Sequence, residues 1–152
     1  MKIKGKIFSG FGRGGDLIKK WGPRITHLLK ISPYPGTLNV RLQEPINIAP
    51  YATIEMDYIL SHGKRHIDAY FMPVKLVFKD KTEECWGMRD ADKTYNNDVL
   101  ELLSTKNLKE VANLKDGDEV EIELPEKKRR KTKVPGFGII QEFMERKTRA
   151  GA

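Results

Sequence analysis

The chain has 152 residues, 39% hydrophobic and 32% charged, with a formal net charge of +7. That length accommodates one domain with a real core and leaves little room for a second, and the absence of any run of about 18 apolar residues excludes a membrane-spanning helix. One cysteine, Cys85, and three scattered histidines (His27, His62, His66) exclude a disulfide framework and a cysteine-rich zinc site, so the expectation is a reducing, cytoplasmic compartment; separately, the chain is expected to be a monomer.

The elements follow in chain order. Lys2 to Ser9 alternates as a strand and runs into the glycine-dense Gly10-Phe11-Gly12-Arg13-Gly14-Gly15. Asp16 stands at an N-cap position before a short helix that Gly22-Pro23 stops, and Arg24 to Ile31 reads as a second short helix on Ile25, Leu28 and Leu29. Ser32 to Gly36 is a turn and Thr37 to Leu42 a strand. Thr53 to Leu60 alternates, Ser61 to Lys64 is a hairpin connection, and Arg65 to Phe78 is a long strand interrupted at Pro73. Asp80 to Thr82 is read as the next hairpin turn, leading to a strand from Glu83 to about Met88. Asp98 to Leu103 spaces Val99, Leu102 and Leu103 as a helical turn or two, and Asn107 to Val111 as a further turn. Lys115 to Asp118 is a tight turn before a last strand, Glu119 to Leu124. Strands at hairpin spacing with short helices predict a mainly β fold, a compact barrel in one domain over residues 1–125.

Residues 126–152 differ in character. Nine of the 28 basic and two of the 21 acidic residues fall after Glu126, so this stretch carries the whole +7 and the first 126 residues are neutral. The run Lys127 to Lys131, continued by Lys133, repels itself and predicts a disordered linker. Ile139, Ile140, Phe143 and Met144 then mark a short amphipathic helix over 137–147.

Three constellations carry possible chemistry. The glycine loop between a strand and a helix lets backbone N–H groups converge on an anion, with Arg13 in reach of phosphate oxygens; its spacing fits neither the dinucleotide fingerprint nor a P-loop. On the loop alone, phosphate binding and a plain flexible connection stand level. Thr37 and Asn39, two apart on a strand, face one side and offer neutral oxygens to a hard cation such as Mg²⁺; in isolation the plainer reading, a turn and an edge strand with two polar residues facing solvent, wins. Thr94, with Tyr95, Asn96 and Asn97, precedes Glu101, a carboxylate able to accept a hydroxyl proton. Lys106-Asn107-Leu108-Lys109 adds two cations and an amide, by itself an ordinary solvated stretch.

The order of these pieces resembles a family. Gly5-Lys6-Ile7-Phe8-Ser9-Gly10-Phe11-Gly12, Pro33-Tyr34-Pro35-Gly36-Thr37-Leu38-Asn39-Val40, Pro73-Val74-Lys75, Val99-Leu100-Glu101 and Leu114-Lys115-Asp116-Gly117-Asp118 together resemble the archaeal CTP-dependent riboflavin kinases over Lys2 to about Leu124. The resemblance implies a cradle-loop β-barrel that moves phosphate from CTP to riboflavin. It implies a nucleotide held by Phe11, Gly12, Arg13, Gly14, Gly15 and Asp16 and by Lys106, Asn107, Leu108 and Lys109. It further implies Mg²⁺ on Thr37 and Asn39, flavin contacts from Thr94 and Glu101, and catalytic parts for Glu101 and Arg13. The spacing from Thr94 to Glu101 is one residue shorter than in the family pattern, and the basic tail lies outside the resemblance.

The competing expectation is a small β-barrel that binds nucleic acid or another polyanion through Lys127 to Lys133. Against it stand the neutral body and the lack of aromatic residues interleaved with basic ones.

Overall fold

Alternation becomes strand wherever one face of a segment can be buried, and the computed structural model, which describes residues 1–9, 23, 25–59, 62–63, 65–90, 97–127 and 132–135, forms eight strands among them. They are β1 (Lys2–Phe8), β2 (Leu38–Leu42), β3 (Ile54–Ile59), β4 (Arg65–Phe78), β5 (Lys81–Asp90), β6 (Val99–Leu103), β7 (Glu119–Glu123) and β8 (Thr132–Pro135). Six of them run β5-β6-β2-β1-β7-β4, and β4 pairs again with β5. All six pairings are antiparallel. The result is a closed six-stranded barrel in a mainly β, single-domain chain, and closure leaves these strands without a free edge. No helix among the described residues is long and apolar enough to cross a membrane.

Two apolar layers hold the barrel. Ile7, Leu38, Val40, Leu42, Val74, Leu76, Leu100, Leu102, Val120 and Ile122 belong to one buried cluster. A second cluster joins Ile25 and Leu29, from the helical residues 25–29, to Ile54, Met56, Ala69, Phe71, Met88 and Leu103. Fully burying such side chains contributes about 1.5–3 kcal/mol each before conformational entropy is charged against it. Gly5 is where β1 comes closest to β2: a Cβ there would lie 2.6 Å from Val40 Cγ1 and 2.7 Å from the Arg41 carbonyl oxygen.

Four expectations are corrected or sharpened. Asp98 to Leu103 is not helical: Val99–Leu103 is strand β6, with all five residues buried. A strand covered on both faces reads as a nearly continuous apolar run, which periodicity alone does not separate from a buried helix. Pro73 does not interrupt β4, whose pairing with β5 continues through Pro73 opposite Trp86. On its other side β4 pairs with β3 up to Phe71 and with β7 from Lys75, so Pro73 sits in the gap where no ladder bond is lost. The hairpin turn is Lys79-Asp80, closed by the pair Phe78 and Lys81, with Lys79 at φ 55°. Thr132–Pro135, expected in an unpacked linker, is β8: it pairs parallel with β3, and the Thr132 N–H donates to the Thr53 carbonyl at 2.9 Å. The expected helix over 137–147, the helix after Asp16 and residues 128–131 of the basic run lie outside the described residues.

Candidate active site

The end of β1, the start of β2 and the segment after β6 meet at one rim of the barrel. Alternation along β2 sends Leu38 and Val40 into the core and leaves Thr37 and Asn39 half-buried on the other face. The register then does what sequence alone could not. Asn39 lies opposite Phe8 on one side and opposite Glu101 on the other. Glu101, only 2% exposed, is in turn opposite Met88 of β5. The Thr37 hydroxyl donates to Glu101 Oε1 at 3.4 Å. Thr37, Asn39 and Glu101, spread over 65 residues of sequence, thus form one polar cluster on the outer face of the barrel.

The second wall follows β6. Tyr34 N–H donates to the Ser104 carbonyl at 2.7 Å, which anchors the Pro-Tyr-Pro-Gly turn beside it. The Lys106 N–H donates to Ser104 Oγ at 3.2 Å. Asn107 caps the helical turn Leu108–Val111 by accepting from the Glu110 N–H. Its amide nitrogen donates to the Tyr34 hydroxyl at 3.3 Å. One amide therefore joins the two walls.

Between them lies a cleft of about 370 Å³, lined by Phe8, Ser9, Thr37, Asn39 and Lys106 to Lys109 among others. Three of the expected groups therefore come together: the Thr37–Asn39 pair, Glu101 just beneath it, and Lys106, Asn107, Leu108 and Lys109. Leu108 both lines this cleft and belongs to the buried cluster of the barrel. Phe11, Gly12, Arg13, Gly14, Gly15, Asp16 and Thr94 lie outside the described residues. A larger cavity of about 560 Å³ opens beyond Ser104 among β4, β5 and the end of β7, and none of the expected site residues lines it.

The donor set fits a hard cation. Thr37 and Asn39 supply neutral oxygens, and among the described residues no group of three His, Cys, Asp or Glu side chains converges as a ligand cage. A cation held at Thr37 and Asn39 keeps most of its shell for water and anionic substrate oxygens, the habit of Mg²⁺.

Several residues went unnoticed in the sequence. Ser9 and Tyr34 line the cleft, and Arg89 holds the approach to β6 through carbonyls of Ile46, Asn97 and Val99. Asp116 accepts from Ser9 and pairs with Lys109; the two partners hold its carboxyl below the usual carboxylate range, Ser9 first. Ser9, Tyr34 and Asp116 all stand in segments that carry the family resemblance, without a site role of their own there; nothing local marks Arg89.

Fold and cleft together define a small closed-barrel protein with a polar ligand cleft built on strand ends, where neutral oxygens meet lysines. Comparison with known proteins narrows this. The CTP-dep_RFKase family model, described as "Domain of unknown function DUF120", matches residues 7–124, and the chain belongs to that family. It is similar to a riboflavin kinase of Archaeoglobus fulgidus, 35% identical over 82% of this chain and 54% of the relative. A riboflavin kinase of Pyrobaculum islandicum is 31% identical over 82% of this chain and 60% of its own length. One of Methanococcus vannielii is 30% identical over 80% of this chain and 96% of the relative. The chain therefore spans little more than half of the first two relatives and nearly all of the third.

Proposed function

We propose that the protein is a CTP-dependent riboflavin kinase, which transfers the terminal phosphate of CTP to the 5′-hydroxyl of riboflavin and yields FMN and CDP. The observation that carries this is the convergence of Thr37, Asn39 and Glu101 on one face beside Lys106 to Lys109. The relatives' shared name as riboflavin kinases and the CTP in the family's name supply the substrates.

Phosphoryl transfer passes through a loose transition state, so the protein's work is alignment and charge neutralisation. Thr37 and Asn39 would hold a Mg²⁺ ion, whose charge would offset that of the terminal phosphates. The Lys106 and Lys109 side chains and the backbone at Asn107 and Leu108 orient the rest of the nucleotide. By the family resemblance, Phe11 to Asp16, with Arg13 among them, also bind the nucleotide, and Thr94 contacts the flavin. Glu101, buried beside Thr37, orients the ribityl hydroxyl and takes its proton as the bond to phosphorus forms.

The test is FMN formation from riboflavin and Mg²⁺ with CTP, ATP, GTP and UTP, run beside Thr37→Ala/Asn39→Ala and Glu101→Gln. Turnover is expected with CTP, abolished in the double variant and reduced about 100-fold in Glu101→Gln. No turnover with any nucleotide from folded protein overturns the kinase assignment; near-normal turnover of Glu101→Gln removes only the base role.

A further inference from the structure

Asp116 does not line the cleft, yet two residues that do are fastened to it. Its Oδ2 accepts the Ser9 hydroxyl at 2.5 Å, across 107 residues of sequence, and its Oδ1 accepts Lys109 Nζ at 2.9 Å. Ser9 is the last described residue before the glycine loop, and Lys109 belongs to the opposite wall. The carboxylate itself stands on a fixed base. Its turn is closed by Asp118 N–H donating to the Lys115 carbonyl at 3.0 Å, with Gly117 at φ 93°. The same turn is bolted to β1: Gly117 N–H donates to the Ile7 carbonyl at 2.7 Å, and Ile7 N–H donates to the Asp118 carbonyl at 2.9 Å. Lys115 N–H adds a bond to Asp118 Oδ2 at 2.7 Å.

As stability, an ion pair with both side chains about half exposed counts for little. As geometry it counts for more. An ionised carboxylate is an acceptor only, with one oxygen for each partner, and Lys109 spends one of its three donors on Asp116 and keeps two for an anion. The Ser9 hydroxyl and the Lys109 ammonium are thereby held at a set separation across the cleft before any ligand arrives, which removes part of the ordering cost of binding a polyphosphate.

We infer that Asp116 is a positioning residue for the nucleotide, setting the distance between the start of the glycine loop and Lys109 without touching substrate itself. This rests on the kinase reading above. Asp116 stays ionised well below neutral pH, since both partners favour its charged form, so the clasp persists across the working range of such an enzyme.

Asp116→Asn keeps the shape but removes the charge: the Ser9 hydroxyl can turn to accept from the new amide, whereas Lys109 loses its ionic partner, so the arm to Lys109 is the one that releases and the clasp opens. The experiment measures kcat and KM for both substrates, together with Tm, in the wild type, Asp116→Asn, Ser9→Ala and the double variant. The expected result is a roughly tenfold rise in KM for CTP in Asp116→Asn, the size that a small misplacement of binding groups produces. KM for riboflavin and Tm should stay near wild type, and the double variant should be no worse than Asp116→Asn, because both changes open one clasp. An unchanged KM for CTP, or a parallel rise in both KM values with a fall in Tm, overturns the inference. If the wild type neither turns over nor binds Mg·CTP by calorimetry, the kinase reading fails separately. The clasp is then decided by amide exchange at Val111 and Ala112: faster exchange in Asp116→Asn upholds it, and unchanged exchange overturns it.

Discussion

Cys85 belongs to the buried cluster of the barrel and is the chain's one thiol. Burial pushes its pKa up to about 12 from 9.0, with the Glu83 carboxylate adding to the rise and a backbone hydrogen bond at Leu76 opposing it. The sign follows from which state releases the proton first. Below pH 9 the thiol is neutral in both folded and unfolded chains. Above it the unfolded chain ionises while the folded one does not, so stability drains from the folded state as the pH climbs from about 9 towards 12. The slope attributable to this one group is about 1.4 kcal/mol per pH unit. Urea denaturation of the wild type and Cys85→Ala over that window checks it: the stability difference between them should shrink with rising pH by that slope, and parallel curves would show that the thiol is not buried as described. Residue by residue, legibility depended on range. Thr37 and Asn39 could be paired from a period of two, and Glu101 picked out by its type. The bond from Thr37 to Glu101 and the clasp of Ser9 on Asp116 are products of register, which links positions that no local window contains.

At the scale of elements, β1 and β7 are legible because their burial alternates, one side meeting solvent or a partial cover. β6 is buried at all five positions, Glu101 included, and its spacing reads as helix; β8 lies inside a charge run whose composition argues against packing. The start of β6 also depends on something no propensity shows. Arg89, on β5, donates to the carbonyls of Val99 at 3.0 Å, Ile46 at 2.5 Å and Asn97 at 3.1 Å. Burial pulls its guanidinium down to about 10, opposed by the nearby Asp98 carboxylate, so it remains charged at neutral pH. A single planar fork thus ties β5, the segment before the Ala49–Tyr51 turn and the approach to β6 together. Arg89→Met should lower stability by about 2–4 kcal/mol, because three carbonyls lose a charged donor at once. Arg89→Lys should recover only a minor part, since one ammonium cannot span the three acceptors. Denaturant midpoints decide it, and a loss for Arg89→Met no larger than that of an ordinary surface substitution would refute the clasp.

For the whole molecule, the division of charge is the leading fact: a neutral barrel and a basic stretch that holds the entire excess. β8 complicates the simple picture of an enzyme with a detachable tail. It lies within that stretch and pairs with β3, and Lys127 sits over the Tyr51 ring at 5.7 Å. Cutting the chain after Lys127 therefore removes a strand as well as the charge, and any loss of turnover would be ambiguous. Neutralising the charge without shortening the chain separates the two. Replacing Lys128, Arg129, Arg130 and Lys131 by Gln leaves Thr132–Pro135 intact. The competing expectation, that the basic run contacts polyanions, predicts a steep salt dependence of duplex DNA binding by the wild type. Four fewer phosphate contacts should flatten the slope of log K against log salt by roughly 3–4. FMN formation from CTP should stay within about twofold, because none of the residues assigned to the site falls in this run. An unchanged salt slope would show that the run makes no phosphate contacts. A collapse of turnover at unchanged Tm would instead place the basic run in the service of the cleft.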